Sequence, residues 1–389
     1  MGIVINGSCD ERFQAVATQL EDFIISGKEL GASVAVNLDG QEVVNIWGGF
    51  ADAEKTKPWE KDTISCIFST TKTISALAIL KLADQGLLEV DEKVSKYWPE
   101  FAANGKEDIR VRHVLSHTCA LPGWHKKVSL EDVCDPEKTT PLLAEDAPWW
   151  EPGTASGYHS LTLGPLIGEL VRRVSGKSLK SFIAEDIAQP LEADFQLGVL
   201  EEDLPRVSSV IPPPQELSPP GPDVANEPLS IFAKVFFNPP MHAAFANTDI
   251  FRRSEWGAGN GHSNAAAIAR IMSVVSLNGK VGEREFLSPK TIDHIFREQA
   301  FGKDLVLNAP ICWGIGYALP RKDTILEWLP IDRRVCTWGG YGGSFVIMDL
   351  DRRLTIAYVM NKMSAVGIGS ETGKAYVSAV YKAIGEEGF

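Results

Sequence analysis

Phe68-Ser69-Thr70-Thr71-Lys72 stands at the head of residues 70–86, where Ile74, Leu77, Ala78 and Leu82 recur at helical spacing and Gly86 supplies a stop. Residues three apart share a helix face, so the Ser69 hydroxyl and the Lys72 amine can meet. A serine hydroxyl is a weak nucleophile until a base takes its proton. A lysine can be that base only when burial or a neighbouring cation lowers its pKa. Ile64, Ile67, Phe68, Ile74 and Leu77 supply apolar surroundings of that kind. At a helix N-terminus the Ser69 amide is also free to hold an oxyanion. By itself, Ser-x-x-Lys is short enough to arise about once or twice by chance in a chain this long, as a helix cap followed by an exposed lysine.

Upstream, residues 13–26 place Phe13, Val16, Ala17, Leu20, Phe23 and Ile24 on one helical face. Ala32–Asn37 and Glu42–Trp47 flank Asp39-Gly40, a tight-turn pair, and predict a hairpin. Downstream, helices are expected over about 161–174, 178–188 and 264–276. Pro-rich Ile211–Pro222 is read as an ordered excursion, since proline removes amide donors from a helix or a central strand. Val335–Trp338, Ser344–Met348 and Leu354–Tyr358 predict strands, Asp349–Arg353 a turn and about 372–384 a closing helix. Helix and hairpin at the front, with strands and helix at the back, predict that both chain ends share one sheet. The expected fold is α/β (α+β), an antiparallel sheet flanked by helices plus a mostly helical lobe. Residues 1–68 and 265–389 would form the sheet domain, and 69–264 the helical lobe carrying loop 211–222.

The 389 residues, 44% of them hydrophobic, can bury a large core, and two intimately packed lobes suit that length. A net charge of −13 argues against nucleic acid or an anionic membrane surface as partner. Met1–Asn6 lacks the basic start and apolar core of a signal peptide, and Asn6 stands where a myristoylation motif wants Ser or Thr. No apolar run approaches the ~18 residues of a membrane span, so a cytoplasmic location is expected. Cysteines 9, 66, 119, 134, 312 and 336 show no metal-ligand spacing and are expected as reduced, buried thiols. No cofactor and no metal are expected.

Two further segments carry chemistry. Trp150-Glu151-Pro152-Gly153-Thr154 leads into Gly157-Tyr158-His159-Ser160 and then a helix. A tyrosine at a helix mouth can extend a proton relay, or simply pack its ring in a loop. Trp338-Gly339-Gly340-Tyr341-Gly342-Gly343-Ser344 permits close backbone approach, as a strand lining a site needs, or makes a glycine-rich bend.

Taken in order, Ser69-Thr70-Thr71-Lys72, Tyr158-His159-Ser160 and Trp338-Gly339-Gly340 resemble the three motifs of the class C β-lactamase and penicillin-binding-protein superfamily. The resemblance covers nearly the whole chain. It includes Trp47–Asp52 with Pro58-Trp59 and Asp62-Thr63, Val111–Thr118, Glu151–Thr154 and Gly343-Ser344. Trp338 stands where true β-lactamases of this group carry a lysine that holds the substrate carboxylate. With Tyr-x-Ser as second motif, and with the stretch Asn247–His262, the chain is most similar to family VIII carboxylesterases. Cys119-Ala120 departs from the Ser-Gly usual in relatives, a packing change with scope to reshape the pocket wall.

The resemblance implies an acyl-enzyme on Ser69, with Lys72 and Tyr158 relaying its proton. The amides of Ser69 and Tyr341 would hold the oxyanion. Trp338, Gly339, Gly340, Ser160 and His159 would contact substrate, a small-molecule ester. Histidines 117 and 262 are expected to be structural, since no Asp–His partner is required. Trp124, Trp149, Trp150, Trp313, Trp338 and Tyr341 are candidate pocket aromatics. An acyltransferase, a β-lactamase or peptidase, and a non-catalytic scaffold are the competing readings.

Overall fold

The computed structural model describes residues 4–216 and 229–386. Strand β1 (Asn6–Cys9) leads into helix α1 (Gln14–Ile25), followed by β2 (Gly31–Leu38) and β3 (Gln41–Gly49). Asp39 (φ 52°) and Gly40 (φ 85°) turn the hairpin, as paired positive φ values require in a two-residue turn. Helices α2 (Thr71–Asp84), α3 (Leu163–Ser175) and α4 (Ala265–Ser276) follow, with many shorter turns between them. The chain closes with β4 (Val335–Gly339), β5 (Phe345–Asp349), β6 (Leu354–Met360) and α5 (Glu371–Ala383).

The sheet runs β1-β3-β2-β6-β5-β4, antiparallel throughout, so the two chain ends do share it. β6 is buried along its whole length and β2 over its first six residues, which requires cover on both faces. Helix α4 packs on β2, β5 and β6, whereas α1 meets β3 and α5. Alternation along β6 divides the contacts. Thr355 bonds Ser276 of α4, while Tyr358, of opposite parity, stacks on Tyr376 of α5.

Helix α2 is buried on every side except near its end, as expected of a helix running through the core rather than over it. It packs against α3 and touches β4, which holds its N-terminus between the sheet and the helical layer.

The short strands escape the sequence pattern, among them the pairs Lys280–Val281 with Arg284–Glu285 and Ala300–Lys303 with Pro310–Trp313. β1 is largely exposed and too polar to show alternation. Ser65–Cys66, Gly261–Ser263 and Phe195–Leu197 make a small separate sheet from pieces two or three residues long. Residues 178–188 are one helical turn, Leu179–Phe182, continued as a wider π turn over Ile183–Ala188. Of the Pro-rich stretch, 211–216 is ordered: the Ile211 amide donates to Asn361 O and Glu216 accepts from the Ala243 amide. Its remainder, 217–222, lies outside the described residues.

Candidate active site

Ser69 follows Phe68, whose φ of +43° places a non-glycine residue in the left-handed region immediately before the hydroxyl. Backbone strain of this kind persists only where the surroundings over-determine it. Here the Ile67 amide donates to Gly261 O at 2.9 Å, and Ile67 O accepts from Ser344 Oγ at 2.9 Å. The turn is thereby pinned from both neighbouring segments.

Lys72 is 2% exposed. Its Nζ lies 2.8 Å from Ser160 O, 2.8 Å from Ala258 O and 3.1 Å from Ser69 Oγ. Burial drives its pKa well below the ordinary lysine range. A neutral amine has two N–H groups and one lone pair. In that form the two carbonyls, which can only accept, would claim both protons and leave the lone pair for the Ser69 hydroxyl.

Tyr158 is buried, and its Oη accepts from Trp338 Nε1 at 3.0 Å. An indole nitrogen only donates, so this bond leaves the phenolic proton free for another acceptor, and Tyr158 and Ser69 line the same cavity. Burial pushes the phenol above its usual range, against the opposing effect of the Ser69 and Trp338 hydrogen bonds.

The Tyr158 segment is held from beneath. Its amide donates to Asp304 Oδ1 at 3.0 Å; the same oxygen accepts from the Val306 and Leu307 amides, and Asp304 Oδ2 accepts from Trp313 Nε1 at 3.3 Å. His117 O accepts the Gly157 amide at 2.9 Å and His117 Nδ1 the His159 amide at 3.1 Å. The rings of Tyr158 and Trp313 are near-parallel with centroids 6.0 Å apart, and His117 meets Trp313 edge-on with centroids 4.4 Å apart. Asp304 was not anticipated. Its Asx-type bonds to residues two and three ahead are a local pattern, but nothing in that pattern signals a partner in Tyr158.

Among the described residues, neither the Ser69 nor the Tyr341 amide donates to another protein group, so both are available to an oxyanion. Gly340 approaches the Ser69 turn so closely that a Cβ there would sit 2.3 Å from Ile67 O. Any other residue would push the strand off the site.

A cavity of about 300 Å³ opens over Ser69 and Tyr158. Ser160, Trp338, Gly339, Gly340 and Tyr341 line it, together with Phe68, Phe236, Trp256, Met241 and Ile368. None of its described lining residues is Asp, Glu, Lys, Arg or His. His159, expected at the pocket wall, is instead fully buried outside this lining. Its Nε2 contacts Cys119 Sγ at 3.0 Å and the Leu121 amide at 3.3 Å, and burial drives its pKa down to about 3. Cys119 and Ala120 lie outside the cavity too, and Ala120 adopts φ +60°. Of the candidate aromatics, only Trp338 and Tyr341 reach it. Trp313 backs Tyr158, Trp150 donates to Ala155 O, and Trp124 and Trp149 line a separate cleft with His125. Phe68, Phe236 and Trp256 take the expected places, brought in by segments whose packing no local pattern announces.

Groups of three or more His, Cys, Asp or Glu able to hold a metal are absent among the described residues, and the cysteines are free thiols. No described helix is long and apolar enough to cross a membrane.

A half-buried serine beside a buried lysine at a helix head, a tyrosine in the same cavity and a glycine-rich strand edge sit on a β-lactamase-like fold. The family model for beta-lactamase matches residues 13–379, and the chain belongs to that family. Esterase/beta-lactamase LipL of Mycobacterium tuberculosis is 31% identical, covering 92% of this chain and 83% of LipL. Esterase EstB of Burkholderia gladioli is 27% identical, covering 90% and 91% respectively. A crystal structure of a family VIII carboxylesterase superposes with a TM-score of 0.89 at 34% identity, covering 98% of this chain and 100% of that one.

Proposed function

We propose that the protein is a serine carboxylesterase acting on uncharged esters through an acyl-enzyme on Ser69. The observation that carries this reading is the meeting of two contacts, Trp338 with Tyr158 and Lys72 with Ser69, at one cavity without a charged lining residue. Neutral Lys72 takes the Ser69 proton as Oγ bonds the ester carbonyl carbon. The carbonyl electron pair moves to oxygen, where the amides of Ser69 and Tyr341 hold it. When the tetrahedral intermediate collapses, the C–O bond to the alcohol breaks and Tyr158 delivers its proton to the departing alkoxide. The Lys72 ammonium, 4.9 Å from the Tyr158 ring centroid, makes the phenol more acidic at that moment and restores its proton afterwards. Water then repeats the sequence on the acyl-enzyme, with Lys72 and Tyr158 in the same roles.

Trp338 supports the choice of ester over lactam. It puts an indole donor on Tyr158 where a carboxylate-bearing substrate would call for a cation. The esterase names of LipL and EstB agree with this reading.

A fluorophosphonate probe tests it. Labelling should disappear in Ser69→Ala and weaken strongly in Lys72→Arg. Undiminished labelling of Ser69→Ala would remove the nucleophile from the proposal. Turnover of a chromogenic cephalosporin at a rate matching p-nitrophenyl butyrate would overturn the preference for esters.

A further inference from the structure

The two amides assigned to the oxyanion belong to segments far apart in the chain, Ser69 at the head of α2 and Tyr341 in the turn between β4 and β5. An oxyanion site works only if the separation of its donors is fixed before the charge develops. The main chain alone does not fix it, because β4 ends at Gly339 and Gly340 to Gly343 form a glycine-rich turn.

The connection is made by two hydroxyls. Ser344 Oγ lies 2.9 Å from Ile67 O, an atom that can only accept, so the Ser344 proton points there. Thr70 Oγ1 lies 3.0 Å from Ser344 Oγ and 3.2 Å from Ser344 O, so its own proton is directed at Ser344. Ser344 O also accepts the Gly340 amide at 2.7 Å, which closes the turn that presents Tyr341. Ser344 and Thr70 are both 0% exposed. Each oxyanion donor thus sits next to a member of one buried cluster: Thr70 follows Ser69, and Gly340 precedes Tyr341.

We infer that Ser344 and Thr70 are positioning residues that set the separation of the Ser69 and Tyr341 amides, and that neither touches substrate. The inference rests on the proposed reading of those two amides as oxyanion donors. An apolar replacement leaves the nucleophile, base and cavity in place and loosens only the register between the two donors. Its effect falls on the tetrahedral state rather than on ground-state binding.

The test uses the full-length protein with p-nitrophenyl butyrate, reading kcat, KM, Tm and inhibition by a phenylboronic acid, whose serine adduct is a tetrahedral anion. Thr70→Val keeps the side-chain shape and removes the hydroxyl, whereas Thr70→Ser keeps the hydroxyl. In Thr70→Val, kcat should fall about tenfold or more with KM within about threefold, and boronate affinity should fall in parallel. Thr70→Ser should stay within about threefold of the parent on each measure. Ser344→Ala should show a larger loss of the same kind, measured well below its own Tm. Unchanged kcat in Thr70→Val, a kcat loss without weaker boronate binding, or Thr70→Ser as impaired as Thr70→Val would overturn the inference. Full boronate affinity in Ser69→Ala would instead overturn the reading of Ser69 on which it rests.

Discussion

The indole N–H of Trp338 donates to the phenolic oxygen of Tyr158 at 3.0 Å, across 180 positions of sequence, with both rings packed against Trp313. In the proposed mechanism the phenol gains negative charge as it delivers its proton, so this bond would strengthen as the reaction proceeds. Trp338→Phe keeps the packing and removes the donor. A hydrogen bond to a charged group contributes roughly 1.5–3 kcal/mol, so kcat is expected to fall about 10- to 100-fold with KM nearly unchanged. Steady-state kinetics on p-nitrophenyl butyrate check this, and a change confined to KM would contradict it.

The proposed mechanism needs Lys72 as the neutral amine, and burial holds its pKa well below the usual lysine range. Activity should therefore persist through neutral pH and fall on the acid side as the amine takes up one proton. Lys72→Arg keeps a cation that does not release its proton in the working range, and kcat should drop about 10³-fold. A pH–rate profile of the parent and single-turnover kinetics of the variant are the measurements. An arginine variant within tenfold of the parent would exclude Lys72 as the base.

Asp304 ties together the Tyr158, Val306 and Leu307 amides and the Trp313 indole. Asp304→Asn retains size but removes the charged acceptor and brings a second N–H₂ donor against groups that already donate. Stability is expected to fall by about 2–3 kcal/mol, with a loss in kcat of about tenfold or more as Tyr158 shifts. Urea unfolding and kinetics on the same sample separate the two effects. Unaltered kcat would show that the Tyr158 backbone needs no such clasp.

Glu29 lies between β2 and α5, 3% exposed and bonded to the Tyr358 hydroxyl. Burial pushes its carboxyl up to about 7, only partly offset by hydrogen bonds from Tyr358 and Thr372 and by the charge of Lys362. An acid with a raised folded-state pKa favours folding while protonated. Its contribution is full below the unfolded value and is lost as pH rises through about 7. The loss amounts to about 3 kcal/mol at most. Glu29→Gln should flatten Tm between pH 5 and 8, measured by calorimetry with p-nitrophenyl butyrate turnover as a control. A parent whose Tm does not decline over that range would refute it.

The sheet and its long helices were legible because they rest on short-range pattern. Asp39-Gly40 fixes a turn, and α4 shows its apolar stripe over residues 264–276. The grouping of Ser69, Lys72 and Tyr158 was legible only through residue types that stand in that order along the chain. Its supports were not. Asp304 and Ser344 act through bonds 146 and 277 positions long, and no local preference encodes such a partner. His159 was misplaced for a related reason. Its two neighbours face the cavity, but the tight turn at Ser160, whose amide bonds Tyr158 O at 2.9 Å, leaves the intervening side chain facing His117 and Cys119.

At the centre of the sheet, β2 pairs with β6, and the Gly31 amide reaches the Asn361 side chain 330 residues later. A ribosome therefore releases the N-terminal hairpin with one edge bare and apolar, and its partner strand emerges only after all the intervening helices. Vectorial synthesis cannot complete this sheet until β6 has emerged. Loop closure on that scale is slow, and an unpaired edge invites association with other chains meanwhile. Yield in a heterologous host should thus depend on translation rate, growth temperature and holdase supply more than on the equilibrium stability of the finished molecule.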